Sequence, residues 1–453
     1  MMGLSMSTII LRNAHLVNEG RRQVADVLIR AGLIEIIGTI PAGIKADREI
    51  DLTGKLLLPG LIDDQVHFRE PGLTHKANIG SEAKAAVAGG VTSFMEMPNT
   101  NPPATTKIEL EKKFARAASV SVANYSFFFG ASNTNLDEVK AVDARNVCGV
   151  KIFMGSSTGE MLVDNEASLE GIFQHSPVLI ATHCEDTPMI KAAEAIAKAK
   201  WGEDIPAAEH PRIRSVEACY ASSSFAVGLA KRHDARLHVL HITTAKELSL
   251  FSAAPLPGKR ITAEACVHYL WFAEEDYARL GHKIKCNPAI KTIADRAAVR
   301  AAVASGVIDI IATDHAPHTK EEKAQTYFKA PAGLPLVQHS LLILLDLWRQ
   351  GVLPLETIVE RACHAPAVLF GIERRGFIRE GYAADLVVVD PSKGHTVRAE
   401  NLLVHCGWSP MEGHTFGCSI ERTFVNGVCV YEDGKVRADA PIGQRMTFVG
   451  NRR

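Results

Sequence analysis

Residues 59–75, PGLIDDQVHFREPGLTH from Pro59 to His75, decide how the remaining chain is read. Asp63, Gln65 and His67 alternate with apolar Ile62 and Val66, so on a strand the three polar side chains leave one face. Arg69 follows two residues after His67, and Glu70-Pro71-Gly72 closes the run with a turn. A histidine and a guanidinium at the carboxyl end of a buried strand suit a metal ion beside a carboxylate-bearing ligand, because imidazole ligates metal and an Arg fork grips carboxylate at two points. The plainer reading, a strand end with stray polar residues, fits these residues alone equally well.

Outward from this stretch, residues 61–313 alternate apolar runs with Ala-rich helical stretches. Candidate strands are 61–67, 91–97, 124–130, 149–154, 177–183, 236–242, 260–266 and 307–313. Helices are expected at 81–88, stopped by Gly89-Gly90, and at 188–200. Eight such units make an α/β fold, a (β/α)8 TIM-type barrel whose site lies where the strands end. Residues 283–287 are an extra strand-like piece, and a doubly wound open sheet is the competing architecture. Before Pro59 and after about Gly376 the pattern changes to short β-branched runs broken by polar turns. The two ends are expected to build one small β-sandwich, with domains at 1–58, 59–372 and 373–453.

With 453 residues and a net charge of −1, the chain carries no electrostatic footprint for nucleic acid or an anionic membrane. No apolar run reaches the span of a bilayer, and no signal-peptide layout opens the chain. The nine cysteines are odd in number, scattered and never spaced Cys-x-x-Cys, which points to reduced thiols and a cytoplasmic location. Association between copies of the chain stays open.

Polar residues collect at the strand ends. Asn99 follows Pro98 after the second strand and suits a turn. Lys151 sits in an otherwise apolar strand, where a lysine either snorkels to solvent or, once buried, has a lowered pKa and a reactive neutral amine. His183 and His241 end the fifth and sixth strands; singly each suits a satisfied core residue, and together they shift the balance towards a site. His238, three residues before His241, falls on the opposite face by strand alternation and is left out, as are His175 and His233. Asp314 follows apolar Ile310-Ile311-Ala312, and a carboxylate there needs a partner, for which a metal-held water would serve.

PGLIDxxVHFREPG resembles the opening motif of dihydroorotases within the amidohydrolase superfamily, and Asp314-His315-Ala316-Pro317-His318 matches the family's Asp-His-Ala-Pro-His in full. Residues 262–268 and Cys286-Asn287-Pro288 resemble further family motifs. The resemblance implies a metal-dependent cyclic amidohydrolase of pyrimidine biosynthesis, converting dihydroorotate and N-carbamoyl-L-aspartate reversibly. It implies zinc held by His67, Lys151, His183, His241 and Asp314, with Lys151 carboxylated to a bridging carbamate. It implies substrate contacts from Arg69, Asn99, Asn287, His318, Ala332 and Gly333, and Asp314 as the proton shuttle for a metal-activated water. Arg69 separates this reading from hydantoinases and allantoinases, whose rings lack the carboxylate. One departure stands out: Gln65 replaces the first histidine of the family's His-x-His. An amide oxygen is a poorer zinc ligand than imidazole, so one firm metal site at Lys151, His183 and His241 is expected, with a second of lower affinity. The same departure leaves open an inactive barrel serving as a scaffold for aspartate transcarbamoylase.

Overall fold

In the computed structural model, which describes residues 7–155, 161–438 and 440–449, two chain ends frame a ring of parallel strands. Strands β1 (Ile9–Asn18), β2 (Arg21–Arg30), β3 (Leu33–Gly38), β4 (Arg48–Asp51) and β5 (Leu56–Pro59) precede the ring. The ring runs through β6 (Leu61–Val66), β7 (Val91–Glu96), β8 (Asn124–Phe127), β9 (Phe129–Gly130), β10 (Val150–Phe153), β11 (Ile180–His183), β12 (Leu237–Val239), β13 (Ile261–Cys266) and β14 (Ile310–Ala312). Beyond it lie β15 (Leu386–Asp390), the short pair β16 (His395–Thr396) and β17 (Thr415–Phe416), then β18 (Ser419–Val425), β19 (Val428–Glu432) and β20 (Lys435–Val436).

β6, β7 and β8 pair in parallel, as do β9 through β14 in chain order. β8 and β9 are two halves of one expected strand interrupted at Phe128, whose N–H bonds Glu96 O (3.0 Å) while that of Phe129 bonds Gly149 O (3.0 Å). At the other seam His67 N–H donates to His315 O (2.7 Å) beside a parallel bridge between Val66 and His315. These two seams join the partial sheets into the eight-membered barrel. The chain ends meet in a nine-stranded sheet, where β5 pairs with β1 on one side and with β15 on the other.

Local sequence explains the helices that space the strands. Asn78 caps helix Ile79–Ala88 by accepting from Ser81 N–H, and Gly89 ends it. A Cβ at Gly89 would lie 2.2 Å from Val337 O, so only glycine fits there. Asp186 caps helix Thr187–Trp201, with Pro188 in its first turn.

Three expectations are corrected. Residues 283–287 form no strand; Gly281–Ile284 is a 3-10 turn. Asp63 does not share the face of Gln65 and His67, because the β6–β7 register shifts between Asp63 and Val66; its carboxylate takes Thr313 N–H (3.2 Å) and Oγ1–H (2.6 Å) instead. His238 is not turned away from the barrel. β12 ends at Val239 and His241 adopts φ +45°, so period-two alternation does not extend from 238 to 241, and both side chains point inward at different depths.

Candidate active site

A cavity of ≈ 130 Å³ opens where the barrel strands end, and every metal- and substrate-site residue expected from the sequence lines it, together with Phe153 and Ala316. Packing fixes the segment that carries His67 and Arg69. Phe68, between them, is fully buried with its ring 4.5 Å from Phe94 and edge-on to His315, an anchor worth about 2–3 kcal/mol of apolar burial. Arg69, His241 and Asp314 all hold positive φ, +70°, +45° and +48°. Backbone strain of this kind persists only where the surroundings over-determine it.

Two sets of donors face each other across the cavity floor. In the first, His183 Nδ1 and His241 Nε2 stand 2.8 Å apart. Lys151 beside them is 1 % exposed, and its Nζ has no hydrogen-bond partner among the described residues. Burial pushes the Lys151 amine down to about 8. Burial also lowers both imidazoles, His241 further because His183 and Lys151 lie beside it, so their ring nitrogens stay neutral with lone pairs to offer. In the second set His67 Nε2 is 3.1 Å from Asp314 Oδ1, and Gln65 Nε2 donates to the same oxygen at 3.3 Å. Burial works to raise the Asp314 carboxyl, but His67 outweighs it and holds the group below the ordinary aspartate value. His67 Nδ1–H donates to Asn99 Oδ1 (2.8 Å), which directs Nε2 into the site.

These donors fit divalent cations. An orphaned buried amine, two neutral imidazoles converging to 2.8 Å and an ionised carboxylate are a set that metal satisfies and that apolar packing does not. Gln65 is the weak member. As placed, its amide nitrogen faces Asp314 while Oε1 accepts from Cys266 Sγ (3.7 Å), so giving an oxygen to a cation requires the amide to turn over and surrender both contacts.

The opposite wall is cationic. Arg69 Nε donates to Pro317 O (3.1 Å), and one of its terminal nitrogens lies 3.0 Å from His318 Nε2. Lys76 Nζ lies 3.1 Å from His318 Nδ1. Burial, then Arg69, Lys76 and Lys323, drive the His318 imidazole well below its usual range. Asn287 Oδ1 is buried without a partner among the described residues. Gly333, at φ +141°, brings backbone to the cavity edge where a Cβ would meet Ala316 O at 2.4 Å; Ala332 O lies 2.9 Å from His318 Nε2.

A family model described as the amidohydrolase family matches residues 56–430. The chain belongs to the amidohydrolase family. Among curated relatives, a dihydroorotase of Halobacterium salinarum is 33% identical over 95% of this amidohydrolase and 98% of its own length. An allantoinase of Rubrobacter xylanophilus is 32% identical over 97% and 98%. Among solved structures, the L-hydantoinase (dihydropyrimidinase) of Arthrobacter aurescens superposes with a TM-score of 0.92 at 28% identity, covering 98% of this chain and all of that one. The fold is thus the metal-dependent amidohydrolase barrel, with a nine-stranded sheet built from both chain ends. No helix among the described residues is long and apolar enough to cross a membrane, and the nine cysteines form no disulfide.

Sequence reasoning missed the braces of this amidohydrolase. Glu185 Oε2 holds His183 Nε2 at 2.9 Å and is gripped by the Arg214 guanidinium, which turns Nδ1 towards His241. Glu185 stands two residues after His183, a usable signal; nothing in the sequence ties Arg214 to it. Phe153 lies 4.7 Å beneath Lys151 Nζ. Asn99, expected at the substrate, is engaged with His67.

Proposed function

We propose that this amidohydrolase is a dihydroorotase, opening the ring amide of dihydroorotate to N-carbamoyl-L-aspartate and closing it again. The observation that carries this reading is the buried Arg69 guanidinium beside His318, facing the metal-ligating residues across one small cavity, with Lys76 behind His318 and paired to Glu322. Hydantoin and allantoin rings carry no carboxylate to neutralise that guanidinium. Two nitrogens of Arg69 are held by protein, and the third is the one that can meet a ligand oxygen.

His67, Lys151, His183, His241 and Asp314 would hold zinc, and a divalent cation there supplies an acidified water and a polarised carbonyl at neutral pH. Lys151, as the neutral amine, adds carbon dioxide through its nitrogen lone pair and loses a proton, becoming a two-oxygen anion able to bridge two cations. Arg69, Asn287 and His318 hold the carboxylate so that the ring amide lies over the donors. Asp314, ionised, accepts the proton released by the attacking water and returns it to the departing ring nitrogen. Asn99 fixes the His67 ring, and Gln65 leaves its cation position weaker than an imidazole would. Residues 59–372 form the catalytic domain in this reading, with 1–58 and 373–453 as the sandwich.

Initial rates of zinc-loaded protein on dihydroorotate, hydantoin and allantoin at equal concentration test it. Turnover of dihydroorotate in preference to the other two is expected; turnover of either of them without dihydroorotate would remove the assignment.

A further inference from the structure

Below the cavity, the barrel interior holds a second cluster of ionisable side chains that the proposed chemistry does not use. Asp64 of β6, His238 of β12 and Glu264 of β13 are fully buried, and their ligand atoms lie within 4.8 Å of one another. β6 and β12 are not neighbours in any sheet, so the three meet across the interior. Glu264 Oε1 accepts His241 N–H (3.0 Å), which places the cluster directly under the pocket.

Hydrogen bonding fixes what each atom offers. Thr262 Oγ1 gives its proton to Leu237 O (3.2 Å) and therefore accepts from His238 Nδ1–H (2.8 Å). His238 Nε2 is left facing Asp64 Oδ2 at 3.3 Å and Glu264 Oε2 at 3.8 Å. Neither approach makes a hydrogen bond: both Asp64 oxygens, Glu264 Oε2 and His238 Nε2 lack a partner among the described residues. Both Asp64 oxygens and one Glu264 oxygen, buried without donors, are a costly arrangement unless positive charge sits between them. Although burial opposes it, the two carboxylates raise the His238 imidazole to about 9, so Nε2 carries a proton unless a cation takes its place.

We propose that Asp64, His238 and Glu264 bind a structural divalent cation of the zinc class, distinct from any ion in the pocket. Donors of a tetrahedral zinc at ~2.0–2.1 Å stand roughly 3.3–3.4 Å apart; the Nε2 to Oδ2 separation is 3.3 Å, and Glu264 Oε2, at 3.8 Å from Nε2, has about 0.4–0.5 Å to close on the ion. Charge favours metal over a proton. An imidazolium between two carboxylates leaves one net negative charge in the barrel, and protons alone reach neutrality only with a second one on a carboxylate, whereas a neutral imidazole, two carboxylates and a dication sum to zero. The ion ties β6 to β12 and β13 across the barrel. Enclosed on all sides, it is taken up during folding and stays when pocket ions are stripped.

The test uses full-length protein produced with zinc and dialysed against chelator under native conditions. Metal counted by mass spectrometry should show one equivalent per chain surviving dialysis and leaving when guanidinium is added. Crystals of the dialysed protein should show an anomalous zinc peak within bonding distance of His238 Nε2 and Asp64 Oδ2. His238→Gln should lose that equivalent. No peak at His238, a His238→Gln protein that keeps the ion, or nitrogen NMR showing both His238 ring nitrogens protonated in the native protein would overturn the proposal. The map on unmodified protein decides it even where the variant does not fold.

Discussion

Replacing Arg69 by Met separates the carboxylate-holding role of this residue from every other role in the pocket. The guanidinium is 7 % exposed, and although burial lowers it to about 10, it is still charged at neutral pH. One charge-assisted hydrogen bond to a substrate carboxylate contributes about 1.5–3 kcal/mol, so its loss lowers kcat/KM for dihydroorotate by about 10- to 150-fold. Lys76 and His318 remain, which keeps the loss from being total. Removing Nε also strips Pro317 O of its donor, a cost of ~1–3 kcal/mol in stability that a melting curve records separately. The assay is kcat/KM for dihydroorotate beside that for an unsubstituted dihydropyrimidine ring, in native protein and variant. The ratio of the two should fall by that factor. An equal loss on both rings would show that Arg69 supports the fold and not the carboxylate, and the reasoning would fail.

Lys151, lowered to about 8, is about one quarter neutral at pH 7.5, where an ordinary lysine near 10.5 is about 0.1 % neutral. Uptake of labelled carbon dioxide by chelator-treated protein, normalised to dissolved gas, should therefore rise with pH and level off above about 8; a rate still climbing at pH 10 contradicts this. Asp314→Asn should lower turnover by ~10²–10⁴-fold while oligomeric state and melting hold; unchanged turnover would favour a scaffold. Glu185→Gln loosens the brace on His183 and should weaken pocket zinc by ~10–100-fold in a chelator competition; equal affinity would make the brace irrelevant.

The eight strand positions were legible because buried parallel strands carry continuous apolar runs. Their ends were not: Pro177–Leu179 and Val307–Asp309 lie outside β11 and β14 although Leu179 O accepts from Val150 N–H and Asp309 N–H donates to Ala263 O (both 2.9 Å), because where a regular ladder starts leaves no trace in composition. That these residues converge on one cavity was legible through strand-end position and family motif. What escaped were features set by backbone geometry or by distant partners. The bulge that redirects Asp63 and the positive φ at His241 that keeps His238 inside defeat a period-two rule. Arg214 reaches Glu185 across 29 residues of chain, and no local pattern announces that contact. Residues 283–287 alternate like a strand but pair with none; Gly281–Ile284 is a 3-10 turn, and Lys285 Nζ donates to Tyr327 O and Ala330 O (2.7 Å for the latter).

The rate of dihydroorotate hydrolysis, followed with pocket metal content through chelation and zinc restoration, tests the central claim most directly. The account predicts that turnover disappears as the pocket ions leave and returns with them. A rate indifferent to their removal, or zinc-loaded protein inert towards dihydroorotate, would contradict it.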